Sequence, residues 1–288
     1  QVALMHSEYF AGIAKYDYGA FATRLDSSSV LAASIVRFGV DDIPNTTELI
    51  DANGNVNYDR ITKFSAVDFA FIVSYAKSLT IPGLRLGANA KVIRRRVGDF
   101  AGAWGFGLDA GAQYDVNKWK FAVMARDITT TFNAWSYNLS DETKQVFQTT
   151  GNEIPENSVE LTLPKLLIGV ARKFDFTPRL SLLAESNLDA TFDGMRNVLI
   201  KSDAVSIDPH IGLELSYMNV LFVRGGLGNY QSYTDALRKK ITTIQPNIGV
   251  GVRIKSFYLD YALTDIGDQS VALYSNVFSI KVDINKKV

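Results

Sequence analysis

The chain contains no cysteine. That excludes disulfides, thiol nucleophiles, cysteine metal sites and a lipidated N-terminal cysteine. Histidine is nearly absent too: there are 2, His6 and His210, and no Gly-x-Ser-x-Gly elbow occurs, so the sequence reads as non-enzymatic. Neither sign of charge is in excess, since 30 Lys+Arg stand against 30 Asp+Glu, and no nucleic-acid partner is expected. Hydrophobic residues make up 47% of the chain, yet no run approaches the roughly 20 apolar residues of a membrane-spanning helix. Nothing at Gln1 resembles a charged n-region followed by an apolar h-region, so a secretory leader is expected to have been removed or to lie outside this sequence.

What is abundant is alternation with a period of two. A strand sends successive side chains to opposite faces, so apolar residues at every second position mark one face that meets an apolar medium. Trp104, Phe106, Leu108, Ala110, Ala112 and Tyr114 form such a set against Gly105, Gly107, Asp109, Gly111, Gln113 and Asp115. Val67, Phe69, Phe71, Val73 and Tyr75 form another, and so do Ile248, Val250, Val252 and Ile254. The opposite face carries charges at mid-strand: Lys15, Asp17, Asp68, Arg85, Lys91, Asp109, Lys120, Arg126, Glu185, Glu214, Arg224, Arg253 and Asp260. All of these are expected to point into a polar interior.

Alternation alone also fits a soluble β-sandwich or a lipocalin-like barrel, with the apolar face turned inward. Two features favour a membrane barrel. Aromatic residues such as Trp104, Tyr114 and Trp119 sit at the ends of the apolar sets, as in the girdles where a barrel meets the two lipid interfaces. Connection lengths also alternate. Short turns such as Asp26–Ser29, Val116–Lys118, Asp175–Pro178, Met218-Asn219 and Lys255-Ser256 follow even-numbered strands, and the long stretches Gly39–Ser65, Ile128–Pro164, Ala190–Ser206, Leu227–Pro246 and Thr264–Asn276 follow odd ones. Phe10-Ala11 is the exception. The expected fold class is therefore all-β, a single transmembrane antiparallel β-barrel of about 14 strands over residues 1–288, with periplasmic termini and extracellular long loops in a bacterial outer membrane.

Met5–Ala14, Ile35–Pro44 and Asp59-Arg60-Ile61-Thr62, with Ala125–Ile128 and Leu163–Gly169 further on, resemble the PorV/PorQ family of Bacteroidota outer-membrane proteins. That family is similar in fold to FadL-type fatty-acid transporters with fourteen strands. The chain departs from it at both ends: nothing before Gln1 supplies the usual N-terminal plug segment, and Asn285-Lys286-Lys287-Val288 follow where many barrels finish on an aromatic residue. The resemblance implies a component of type IX protein secretion. Its partners would be a secretion channel, an attachment complex and the C-terminal signal domains of cargo, handled by the external loops Gly39–Ser65 and Ile128–Pro164, with outer-membrane lipid and lipopolysaccharide around the wall. FadL-like transport of hydrophobic small molecules is the competing function. The charges assigned to the interior place it second, because a transporter is expected to show an apolar pocket near the external mouth.

Three local patterns have ordinary explanations. Gly105–Gly111 has the glycine count of a dinucleotide fingerprint, but it lies within an alternating strand, so glycines facing a crowded lumen are expected. Arg94-Arg95-Arg96 falls at a strand's external end, where it meets solvent or lipopolysaccharide. Asp51, Asn53, Asn55, Asn57 and Asp59 place an oxygen at every second residue and form a candidate Ca²⁺ site, although the glycine and glutamate positions of a calcium loop are not matched; an Asx turn is the alternative. No other cofactor is expected.

Overall fold

The computed structural model describes residues 1–50, 54–234, 238–264, 266 and 274–284. In chain order its strands are β1 (Val2–Tyr9), β2 (Ala14–Arg24), β3 (Ser29–Asn45), β4 (Thr62–Ser78), β5 (Leu84–Val97), β6 (Ala101–Val116), β7 (Trp119–Arg126), β8 (Thr131–Tyr137), β9 (Ser158–Thr162), β10 (Lys165–Asp175), β11 (Leu180–Thr191), β12 (Ile200–Lys201), β13 (Ser206–Tyr217), β14 (Leu221–Thr234), β15 (Lys240–Ile254), β16 (Phe257–Thr264) and β17 (Ser275–Val282). Among the described residues one α-helix, α1 (Asp141–Thr149), interrupts the series. Each strand pairs antiparallel with its successor in the wall, and β17 returns to β1, so the sheet closes on itself. The closed ring has 14 strands, as the alternation implies. Closure removes the edge along most of the ring, whereas β9 is paired with β8 alone among the described residues.

Three of the 17 strands add nothing to that count: β8 and β9 continue β7 and β10, and the two-residue β12 only flanks β13. β7 covers the lower part of β6, from Ala110 to Val116, and β8 covers its upper part, from Ala101 to Phe106. They are one rising strand broken at Asp127–Thr130, where Asp127 and Thr130 take positive φ of 55° and 58°. Its partner is broken at Leu163-Pro164, between β9 on β8 and β10 on β7. Proline has no N–H for the ladder, so pairing restarts on either side of it. The stretch Ile128–Pro164, expected as one loop, is therefore largely a continuation of the wall. The other long stretches are shortened in the same way: β3 runs on to Asn45, β4 begins at Thr62, and β14 and β15 reach Thr234 and Lys240.

The short connections share one end of the barrel with Gln1 and Asp283, where Gln1 lies against Ala22 O and the Asp283 carboxylate. The turn before β3 is held by one carboxylate: Asp26 accepts hydrogen bonds from Ser28 N at 2.7 Å, Ser29 N at 2.8 Å and Ser29 Oγ at 2.7 Å. These bonds, that from the Ser29 hydroxyl first, bring its pKa down to about 2. A carboxyl with a depressed folded pKa stabilises the fold above its unfolded value, ~3.9, and that contribution vanishes as pH falls through the folded value. Asp26→Ala should accordingly lower the detergent unfolding midpoint at neutral pH, and the difference from the parent should close between about pH 4 and 2. A gap that persisted at pH 2 would show that the carboxylate's charge is not what holds the turn.

Directly opposed residues share a face, so the register assigns every side chain to the lumen or the lipid. Leu213, Val223, Val250, Leu259 and Ile280 are exposed outward-facing residues. Most of the expected inward charges do face the lumen. Lys15 and Asp17 do not: Asp17 is opposed to Arg37, Arg37 to Phe69, Phe69 to Arg94 and Arg94 to Trp104, all on the outer face. Tyr16 and Tyr18 take the inner positions instead. In β2 both alternating sets contain polar groups, so periodicity alone does not say which set faces lipid.

Candidate functional site

Clusters of ion pairs line the inner wall between neighbouring strands. Near the short-turn end, Asp115 meets Arg85 at 2.5 Å and Lys120 at 3.5 Å. On another part of the wall, Arg224 bridges Glu214 at 2.6 Å and Asp260 at 2.5 Å. These two residues border an internal cavity of about 580 Å³ whose wall includes Glu185, Asn247 and glycines 212, 226 and 249. Its lining mixes these charges with Leu183, Ala262 and Val277, so it joins an ion-pair cluster to apolar wall. Lys165 pairs with Asp189, and His210 lies 3.5 Å from the same carboxylate.

The most enclosed layer sits beneath the break in β7 and β8. Lys91 Nζ lies 2.7 Å from Asp109 and 2.5 Å from Asp127, and the three side chains are only 6–11% exposed. Asp127 N donates to Asp109 at 2.9 Å, Asn89 donates to Asp109 at 3.3 Å, and the Thr131 hydroxyl donates to Asp127. Gly105 and Gly107 make room: a Cβ on Gly107 would overlap Thr131 Oγ1, and one on Gly105 would overlap Asn133. The expectation of glycines facing a crowded interior holds, but at Gly107 the crowding is close packing against the bent strand rather than an open channel.

Above these pairs, at the long-loop end, lies an apolar pocket of about 480 Å³ bordered by Phe64, Val97, Phe100, Trp135, Tyr137 and Leu139 and by Thr143 and Phe147 of α1. The tight turn Gly98-Asp99-Phe100 builds one side of it. Gly98 has φ +51°, and a Cβ there would press on Phe64 and Phe100, whose rings meet edge to face at 5.2 Å. Trp135 and Tyr137 stack at 6.3 Å on the inner face of β8. Helix α1 forms a further wall; Ser140 caps it by accepting from Thr143 N at 3.2 Å, and Thr143 and Phe147, four residues apart, share the face toward the pocket.

The pocket's boundary toward the lumen is an ion pair covered by a ring. Arg95 bonds Asp68 at 3.1 Å and Glu160 at 2.8 Å and lies 4.9 Å from the Trp135 ring, whose Nε1 donates to Glu160 at 2.8 Å. The arginine triplet is thus divided: Arg95 points inward, Arg94 lies outward over Trp104 at 5.1 Å, and Arg96 pairs with Asp99. Sequence reasoning did not find the pocket. Its aromatics come from strands and loops far apart in the chain, and the one signal available was the frequency of aromatic residues in stretches expected to be loops.

The candidate calcium residues are only partly covered by the structure. Asp51 and Asn53 lie outside the described residues. Asn57 accepts from Asp59 N at 2.9 Å and caps the 3-10 turn Tyr58–Arg60, which is the Asx-turn geometry. Among the described residues no group of three or more His, Asp or Glu is placed to hold a metal ion.

No protein-family model matches the chain, and no curated protein matches it. Solved structures do. The Ralstonia pickettii toluene transporter TbuX superposes with a TM-score of 0.54 at 15% identity, over 99% of this chain and 87% of that one. The Pseudomonas putida toluene transporter TodX gives 0.57 at 11%, over 99% and 88%. A Pseudomonas aeruginosa FadL homologue gives 0.51 at 11%, over 97% and 87%. Identities this low speak for architecture, and together with the closed ring they show that this chain has the FadL-like, 14-strand outer-membrane barrel fold.

Proposed function

We propose that the protein takes up hydrophobic small molecules across the outer membrane, with the long-loop end outside and the short turns and chain ends in the periplasm. The observation that carries this reading is the aromatic-lined pocket at the long-loop mouth, the feature expected of a transporter and not of a barrel closed throughout by ion pairs. Similar folds described as toluene transporters add support. The order of the two functions drawn from sequence is thereby reversed. Type IX secretion continues to rest on the family resemblance, together with a loop that presents α1.

One pair of assays separates the two. Phe147→Glu places a carboxylate on the half-buried wall of the apolar pocket, which should weaken binding of labelled toluene or oleate by about tenfold, since setting an unpaired charge against an apolar ligand costs about 1.4 kcal/mol. Phe147 stands on a loop helix away from the ion-pair layers, so the barrel is expected to assemble. Uptake by intact cells should fall while surface attachment of cargo is unchanged. Normal uptake combined with lost cargo attachment would transfer the function to secretion.

A further inference from the structure

The outer face of β1–β3 is charged at a level where a barrel wall ordinarily meets lipid. His6 and Glu8 on β1, Lys15 and Asp17 on β2, and Arg37 and Asp41 on β3 belong to one cluster. His6 Nδ1 lies 2.7 Å from Asp17, Arg37 lies 3.4 Å from Asp17 and 3.3 Å from Asp41, and Lys15 lies 3.8 Å from Asp41. His6, Lys15 and Asp17 remain more than 40% exposed. Height is fixed by strand geometry. A residue adds about 2.5 Å along the barrel axis at 3.3 Å rise and ~40° tilt, so Asp17, seven residues above Arg24, stands roughly 18 Å above the short-turn end of its strand. An apolar band about 25 Å tall would contain it. On β6 that band is filled from Tyr114 up to Trp104, whereas on β1 only Val2 and Leu4 precede His6.

Ion pairing within the cluster reduces the cost of facing lipid, but it does not remove half-exposed charges from hydrocarbon. Something polar covers them. An anionic lipid headgroup is a poor fit, because Glu8, Asp17 and Asp41 outnumber Lys15 and Arg37. A surface that carries both signs in adjacent columns can instead match a copy of itself. Two barrels inserted in the same direction are related by a two-fold axis along the membrane normal. With that axis beside β2, β1 of one copy faces β3 of the other. Rows of opposed residues climb from β1 to β3: the row through His6, Asp17 and Arg37 leads up to Trp104 and, the other way, down to Phe174. That climb brings Glu8, one outward position above His6, to nearly the level of Arg37. We propose that the β1–β3 wall is a self-pairing interface at which two copies of this chain meet in the membrane, Glu8 of each opposite Arg37 of the other.

The absence of cysteine makes the test clean. Gly19 faces outward on β2, and a Cβ there meets Ile35 and Leu4 at an ordinary 3.6 Å, so Gly19→Cys is accommodated. Val223, outward on β14, reports the far wall. In outer membranes from cells making the full chain, oxidation should convert Gly19→Cys to a species of twice 31.8 kDa, with a yield at least about tenfold that of Val223→Cys. Adding Glu8→Lys to Gly19→Cys should cut the yield about fivefold or more while the folded band persists. Equal yields from the two walls, indifference to Glu8→Lys in a folded barrel, or a product of another mass showing a different protein or lipopolysaccharide on this wall, would each overturn the proposal. Should Glu8→Lys prevent folding, the comparison of Gly19→Cys with Val223→Cys keeps every native charge and still decides it.

Discussion

Lys91→Met should lower the unfolding free energy of the barrel by about 3–5 kcal/mol, because it strips a buried cation from between two carboxylates. Asp109 and Asp127 are 6% and 11% exposed and both lie within 2.7 Å of Lys91 Nζ. Without the ammonium they repel one another in an enclosed site, and one of them must take up a proton or the strand above must move to admit water. Urea titration of the detergent-solubilised barrel, followed by loss of the folded electrophoretic band, would measure the change. The break at Asp127–Thr130 is the element expected to give way first, so protease sensitivity should appear between β7 and β8. A loss under about 1 kcal/mol would mean that the layer is hydrated and that its enclosure has been overstated.

A second large effect should separate two neighbouring residues on β15. Ile248 is 54% exposed on the outer face, six residues above Ile254, whereas Asn247 borders the lumenal cavity with Glu185, Glu214 and Asp260. Ile248→Arg puts a guanidinium into lipid near mid-depth, at about 2–4 kcal/mol. Asn247→Arg puts the same group among carboxylates and should cost little. The yield of folded barrel in lipid vesicles should therefore fall for Ile248→Arg alone. Equal losses would show that the faces of β15 have been reversed. Leu108 and Asp109 offer the same alternation but a poorer comparison, since Asp109 is already bound to Lys91, Asn89 and the Asp127 backbone.

Most of the wall was legible because a membrane barrel imposes one rule on every strand: apolar toward lipid, polar toward the lumen. β6 obeys it from Trp104 to Tyr114 without exception, and β4 and β15 nearly so; their faces and approximate ends follow from period two alone. The rule is ambiguous where both faces carry polar groups. In β2, Lys15 and Asp17 alternate with Tyr16, Tyr18 and Ala20, and either set reads as the inner one until closure of the ring fixes which side each neighbour presents. Register is a property of pairs of strands, and one slip moves every side chain to the other face.

The sequence by itself determined the number of strands, the segregation of short and long connections and the charged inner face, since each is written locally in spacing and residue type. Only the tertiary structure decided that Ile128–Pro164 prolongs two strands past a break, that Lys91 is enclosed by Asp109 and Asp127, and that Phe64, Phe100, Trp135 and Phe147 converge on one pocket. Those arrangements depend on contacts between residues far apart in the chain, whose approach is set by closing the sheet and not by any pattern a short window contains.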